Sequence, residues 1–465
     1  MGEVRNVPLA SYENRLLGVL TLTFGFVFFD RAAMSLLAPF VARELSLSNV
    51  QIGMLASALS ATWAVSGYAF GRICDKRGSY RVVLVLAMIA FSLCSFISGL
   101  AYSFIALLLS RALMGVAEGP VLPIAQTLMA QASSERRRGF NMGLMQTFGS
   151  NALGAFLAPI VLIAIASHWG WRAAFFVAGV PGLLCAVAAW RTVRDPVKRP
   201  ATQDCVHQGS ATLRDMVQHR NIVLCMTLSG LMVGTIVLGF VFLPVYFAQS
   251  LQMSSTEIGV MMSTMGLSSV ISGLVVPGIS DRVGRKPVML TTGLLALLMP
   301  IGAIYVWQTP VALAVMLFIG CSVSSLAPML MATVPAETLA NGRVAAAIGL
   351  VMGTREIIGG VVTPLVGGML ADRWGLVAVP YLQGAFILAS LILMSMVEET
   401  APSKKRLALH VPSVEMLIFA EQARRKSAAN SSGGSHGGAF NQRAGYDYVG
   451  GTQFACHLLA NQRDS

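Results

Sequence analysis

Gly71-Arg-Ile-Cys-Asp75-Lys-Arg-Gly78 and Pro277-Gly-Ile-Ser-Asp281-Arg-Val-Gly284-Arg-Lys286 are two versions of one phrase, each following a long apolar run, with Asp75 and Asp281 separated by 206 positions. The same offset aligns Ile52-Gly53 with Ile258-Gly259 and Gly143-Leu144 with Gly349-Leu350. At an offset of 205, Pro159 falls on Pro364 and Trp169-Gly170 on Trp374-Gly375. Such a repeat reads as two related halves in tandem.

The runs between these landmarks say what the halves are made of. Of 465 residues, 55% are hydrophobic and 12% charged, and the mean hydropathy is +0.69. A typical soluble domain carries roughly a quarter charged residues, so a cytosolic globule is excluded. About 20 apolar residues cross a bilayer, and twelve candidate spans fit at 16–40, 50–70, 81–101, 103–126, 140–166, 173–190, 221–247, 256–277, 287–306, 310–331, 344–370 and 377–397. The expected fold is therefore an all-α membrane protein of twelve transmembrane helices in two pseudo-symmetric six-helix halves. They occupy 1–193 and 221–400, with a cytoplasmic linker at 194–220. No cleavable leader is expected ahead of the first span, which is itself long enough to cross.

Lys and Arg set the orientation. The loops after spans 2, 4, 6, 8 and 10 carry Arg72, Lys76, Arg77, Arg81, Arg136 to Arg138, Arg191, Arg194, Lys198, Arg199, Arg214, Arg220, Arg282, Arg285, Lys286 and Arg343, against only Arg43, Arg172 and Arg373 on the other side. Basic loops stay in the cytoplasm, which places both termini there in a multi-pass inner-membrane protein. The net charge of +12 is thus a topology signal. It lacks the aromatic interleaving of a nucleic-acid face, and no nucleic-acid partner is expected. Seven scattered cysteines without a CxxC pair imply neither a disulfide framework nor a metal site. There is no nucleophile–base set or phosphate-binding Walker loop, so neither an enzyme nor an ATP-driven pump is expected, and no cofactor is implied. Residues 401–465, with Lys404-Lys405-Arg406 and a Ser/Gly/Asn-rich stretch at 427–438, read as a disordered cytoplasmic tail whose basic cluster is placed to meet anionic headgroups.

The paired loops after spans 2 and 8 resemble the hallmark of the major facilitator superfamily, a G-x-x-x-D-R/K-x-G-R-K loop, and the resemblance covers residues 16 to about 397. The second copy departs at Pro277, and the first has Ser79-Tyr80 where two basic residues are usual. The resemblance implies a transporter, and a loop whose Asp can cap a helix N-terminus and pair with an Arg in only one gating state. Asp75, Gly78, Asp281, Arg282, Gly284 and Arg285 are the gating candidates.

Six charges interrupt the apolar spans. Asp30-Arg31 lies past the middle of span 1; Arg111-Ala-Leu-Met-Gly115-Val-Ala-Glu118-Gly119 puts Arg111 and Glu118 two turns apart on one face of span 4; Arg355-Glu356 lies in span 11. At about 2.5–3.5 kcal/mol per charge at a helix centre, leaving all six in lipid costs on the order of 15–20 kcal/mol. They must face each other or water. The Asp-Arg of span 1 with the Arg-x-x-x-Gly-x-x-Glu-Gly of span 4 is similar to the anion:cation symporter branch, whose members carry organic anions such as sugar acids with protons. The spinster-type branch shares the span 1 Asp-Arg and span 4 Glu, and a spinster-like or drug-type exporter of an amphiphile is the alternative.

Chemistry assigns roles. An anion in a dry cavity needs a cation that cannot discard its charge, which suits Arg31, with Arg355 facing it from the second half. Tyr68, Gln146, Asn151, Tyr246 and Ser324 are candidates for further hydrogen bonds to substrate. A proton carrier needs a carboxyl whose protonation follows its surroundings, which suits Glu118 and Asp30, with Arg111 and Glu356 as the charges that tune them. The expected function is secondary active transport of a small organic anion, a carboxylate or sugar acid, by proton-coupled alternating access. The partners are that anion, the proton and the lipid bilayer, and a monomer is expected.

Overall fold

The computed structural model describes residues 9–134, 137–195, 218–339 and 344–400. The tail at 401–465, most of the linker, and basic residues such as Arg136, Lys198, Arg214 and Arg343 lie outside the described residues. So do the side chains of Asp75 to Arg77.

The described residues form helices and no strand. In chain order they are α1 (Leu9–Leu45), α2 (Asn49–Arg77), α3 (Tyr80–Gly99), α4 (Phe104–Ala132), α5 (138–169), α6 (171–192), α7 (Arg220–Gln249), α8 (Ser255–Val283), α9 (Arg285–Tyr305), α10 (Pro310–Thr338), α11 (344–374) and α12 (Ala378–Ser395). Ten helices are long and apolar enough to cross a membrane, one of them the 55-residue run Arg138–Thr192. Gly170, at φ +84°, breaks that run into α5 and α6, a conformation that a residue without Cβ adopts freely. α2 falls below the hydropathy of the others because it carries Ser57, Ser60, Thr62 and Ser66, of which it buries the three serines inside the bundle. Counting the broken run as two and adding α2, the helices are consistent with twelve spans.

Burial agrees with a lipid solvent. Leu86, Leu93, Ile105, Leu109 and Leu113 are more than half exposed on the outside, a belt of apolar surface that water does not tolerate at this size. Backbone hydrogen bonds close within each helix, which hydrocarbon demands.

The first turn of α2 shows how distant parts of the chain are joined. Ser48 and Gln51 form a capping box, with the Ser48 Oγ accepting from the Gln51 N–H at 3.2 Å and the Ser48 N–H donating to Gln51 Oε1 at 3.0 Å. The remaining free donors, the N–H groups of Asn49 and Val50, are taken by the two carboxylate oxygens of Asp372 in α11 at 2.8 and 3.1 Å. An acid at a helix N-terminus also meets the positive end of the helix dipole. Midway along their lengths, α5 and α8 approach so closely that a Cβ on Gly266 would lie 2.0 Å from the carbonyl oxygen of Ala155. α1–α6 and α7–α12 are therefore packed against each other at the end bearing Asn49 and Asp372.

Three helices are locally widened or tightened. α5 contains π-helical turns at 144–148 and 150–157, α11 at 356–362, and α10 a 3-10 turn at 321–325 followed by a π turn at 329–333. Such departures cluster at functional sites, and here they carry Ser150, Asn151 and Glu356.

Candidate functional site

A cavity of about 240 Å3 lies between α1, α2, α5 and α7. Arg31 is the charged group that commands it. Its side chain is 23% exposed, and its guanidinium sits 5.4 Å from the ring centre of Trp63 and 5.8 Å from that of Phe28, positions in which aromatic faces stabilise a cation. Its hydrogen bonds leave from one nitrogen. Nη2 donates to the Ser60 hydroxyl at 3.0 Å and to Glu356 Oε1 at 3.4 Å, so the Nε and Nη1 donors are left without a protein partner among the described residues. Glu356 in turn lies 4.0 Å from Arg355, and α1 and α11 are thus tied by a chain of alternating charge.

The other three buried charges are arranged differently. Asp30 is fully buried and accepts a hydrogen bond from Ser95 at 2.5 Å, while its Oδ2 has no protein partner. Arg111 is 1% exposed, donates from Nη2 to Ser98 at 2.6 Å and lies over the Phe175 ring at 5.2 Å. Glu118 is fully buried, and neither of its oxygens has a hydrogen-bond partner. It feels the charges of Arg31, Asp30 and Arg111. Among the described residues, none of these three makes an ion pair within 4.0 Å. Of the six charges, expected to face each other or water, Arg31, Arg355 and Glu356 are the ones that form ion pairs within 4.0 Å among the described residues.

The remaining substrate candidates divide. Asn151 lines the cavity and donates to the Ser269 carbonyl at 3.2 Å. Tyr68 does not reach it. It is 65% exposed and lies 4.8 Å from the Arg72 guanidinium. Eight residues separate it from Ser60, which at 100° per residue turns it about 80° away around α2. Tyr246 is buried in packing and donates to the Ala303 carbonyl at 3.2 Å. Ser324 donates to Ser269 at 3.0 Å, and Gln146 accepts on its carbonyl from Ser150 at 2.6 Å. Arg355 gives Nη1 to the Met331 sulfur at 3.2 Å and stands behind Glu356 rather than on the cavity wall. Sequence reasoning missed Ser60, Trp63 and Phe28 around Arg31, although Ser60 and Trp63 stand three apart on a polar-streaked helix, the signal that marks one face.

Of the gating candidates, Arg285 holds most contacts. It pairs with Asp281 at 2.6 Å and Glu337 at 2.8 Å and donates to Ser280 at 2.5 Å. The N–H groups of Arg285 and Lys286 at the start of α9 are capped by Glu399 at 2.9 and 3.1 Å. Arg282 is exposed. Gly78 and Gly284, at φ +72° and +117°, turn the chain between helices, a backbone task that explains both glycines without a gating contact. Asp281 is 64% exposed, and an exposed pair is worth about 1 kcal/mol at most. Asp281→Ala is therefore expected to lower turnover by no more than about fivefold while leaving substrate affinity unchanged, as initial-rate uptake and equilibrium binding would show. Lost binding in a folded variant would contradict this.

Comparison with known proteins fits this geometry. The sequence matches the family described as Major Facilitator Superfamily over residues 20–360, with a second match over 241–429. It is 30% identical over 171 residues to a probable sulfoacetate transporter of Cupriavidus necator, 37% of this chain and 39% of that protein. It is 31% identical over 169 residues to the hexuronate transporter of Bacillus subtilis, 36% of this chain and 39% of that protein. The matched region thus spans about two fifths of those relatives' length. Among solved structures, a bacterial homologue of the human lysosomal transporter Spinster, inward-facing and unoccupied, superposes with a TM-score of 0.66 at 17% identity, covering 85% of this chain and 96% of that one.

Proposed function

Since this chain belongs to the major facilitator superfamily, we propose that it carries a small organic anion across the membrane by alternating access, coupled to a proton. The observation that carries the reading is Arg31, with Nε and Nη1 unpaired among the described residues, on a cavity shared by α1, α2, α5 and α7. Release of Nη2 from Glu356 completes the planar Nη1–Nη2 fork, which matches a carboxylate or sulfonate. An Arg held by aromatic rings and tied by one nitrogen is pre-positioned to form it.

In this reading the halves, 1–193 and 221–400, rock about the cavity. The Asp372 cap on α2 and the close approach of Gly368 to Asn49 hold the end bearing Asn49 shut, while the loops around Asp75 and Arg285 work at the other end, which the Lys and Arg count places in the cytoplasm. Anion arrival at Arg31 competes with Glu356, which now holds Nη2 at 3.4 Å, so substrate binding loosens a tie between α1 and α11. Glu118 is the proton site. A carboxyl group without hydrogen-bond partners, under the influence of Arg31, changes its preference for a proton when an anion cancels that Arg.

Thermal stability of the purified protein against a panel of organic acids and amphiphilic cations tests the substrate class. A ligand at 100 times its Kd stabilises the folded state by about 2.7 kcal/mol. Acids are expected to raise Tm and cations to leave it unchanged. The reverse pattern would replace this reading with export of an amphiphile.

A further inference from the structure

Resting on the reading of Arg31 as an anion clamp, we infer that the cavity selects a compact monoanion with an apolar body, of the cyclohexanecarboxylate or benzoate kind, over a polyhydroxylated sugar acid. Four observations converge on this class.

Charge comes first. The site offers one guanidinium, with Nε and Nη1 unpaired among the described residues, and the same Arg31 is already part-balanced by Glu356. The second cation on the wall, Arg111, leaves Nε and Nη1 unpaired but is 1% exposed, so the cavity surface does not present it. A second carboxylate on the ligand would meet no exposed cation, and burying an unpaired charge is among the costliest things a site can do.

The walls come next. Beyond Arg31, the cavity is bounded by Leu55 and Leu59 of α2 and by Ile236, Val237, Phe240 and Val241 of α7. These side chains offer dispersion and apolar burial and no hydrogen bonds. Polar atoms are few, and two are already in use. Ser150 donates to the Gln146 carbonyl at 2.6 Å and Asn151 to the Ser269 carbonyl at 3.2 Å, leaving Ser35 and the Ser60 hydroxyl. A sugar acid carries several hydroxyls, and each one buried without a partner costs about tenfold or more in affinity.

Size is the fourth. About 240 Å3 is below the roughly 300–1,000 Å3 of sites for drug-sized ligands. A single ring with one acid group suits this space, and a large amphiphile does not.

The test is equilibrium binding to the purified full chain of cyclohexanecarboxylate, its neutral analogue cyclohexylmethanol, succinate and glucuronate, with Val237→Asn as a variant of the wall. Cyclohexanecarboxylate is expected to bind at least about tenfold more tightly than each of the other three. Val237→Asn, which adds a polar group to the α7 wall, is expected to narrow the gap to glucuronate at least about threefold. Glucuronate or succinate binding as tightly as cyclohexanecarboxylate to the wild type would overturn this inference and leave the Arg31 clamp standing. Tight binding of cyclohexylmethanol, or failure of every acid to bind a protein that still unfolds cooperatively, would overturn the clamp and this inference with it. The wild-type ranking decides even if Val237→Asn fails to fold.

Discussion

Arg31→Lys is expected to lower organic-anion uptake by about tenfold to a hundredfold, although the charge is kept and the protein still inserts. The guanidinium divides its work: Nη2 serves Ser60 and Glu356, and the separate Nε and Nη1 donors are left for the ligand. An ammonium has one nitrogen on a flexible stem and must choose among the same partners. Losing one charge-assisted hydrogen bond costs about 1.5–3 kcal/mol, which sets that range. The planar cation is also held by Trp63 and Phe28 at 5.4 and 5.8 Å, and lysine fits that sandwich less well. Initial uptake rates in vesicles, normalised to the amount of inserted protein, give the answer. Wild-type rates in the lysine variant would refute the clamp.

The positions of the helices and the paired loops were legible in the chain because both rest on local physics: a bilayer fixes the minimum length of an apolar run, and Gly78 and Gly284 mark turns that need positive φ. The repeat offset also pointed to Asn151 as the counterpart of Glu356, and both sit in π-helical turns. Those turns themselves were not legible. A π turn depends on how a helix is squeezed by its neighbours, and no residue type announces it. Pairings across long separations were hidden for a related reason. Arg31 and Glu356 are 325 positions apart, and only the packing of α11 against α2 and α7 decides that Glu356, rather than Glu118 or Asp30, takes Nη2. Tyr68, Tyr246 and Ser324 were expected on the cavity because they are polar groups in apolar runs. Rotation of α2 exposes Tyr68, and the nearby Ala303 carbonyl and Ser269 hydroxyl satisfy the other two. Asp372 shows the reverse case. Nothing in its loop context singles it out, yet it caps α2 from the far side of the bundle.

Glu118→Gln is expected to abolish concentrative uptake while leaving exchange of labelled for unlabelled anion intact. Glutamine keeps the shape and removes the proton site. Exchange moves no net proton, so it survives the loss of coupling. The structure also makes the substitution gentle. Glu118 makes no hydrogen bond and no ion pair within 4.0 Å among the described residues, so neutralising it breaks no strut. A glutamate acting as counter-ion behaves otherwise, because removing one partner of a buried pair costs about 3–5 kcal/mol, and folding and both activities then fall together. Parallel loss of driven uptake and exchange would assign Glu118 a structural role, and full retention of driven uptake would remove it from coupling.

The central claim is that this chain uses a proton gradient to move an organic anion bound at Arg31. It is tested most directly by purified protein in sealed proteoliposomes, with the tightest-binding acid as substrate and protein-free vesicles subtracted to remove passive entry of the neutral acid. An imposed gradient, acidic outside, should drive uptake above the equilibrium level, and Arg31→Lys should build that excess about tenfold to a hundredfold more slowly. Uptake that ignores the gradient, or an excess that Arg31→Lys builds at the wild-type rate, would contradict the account.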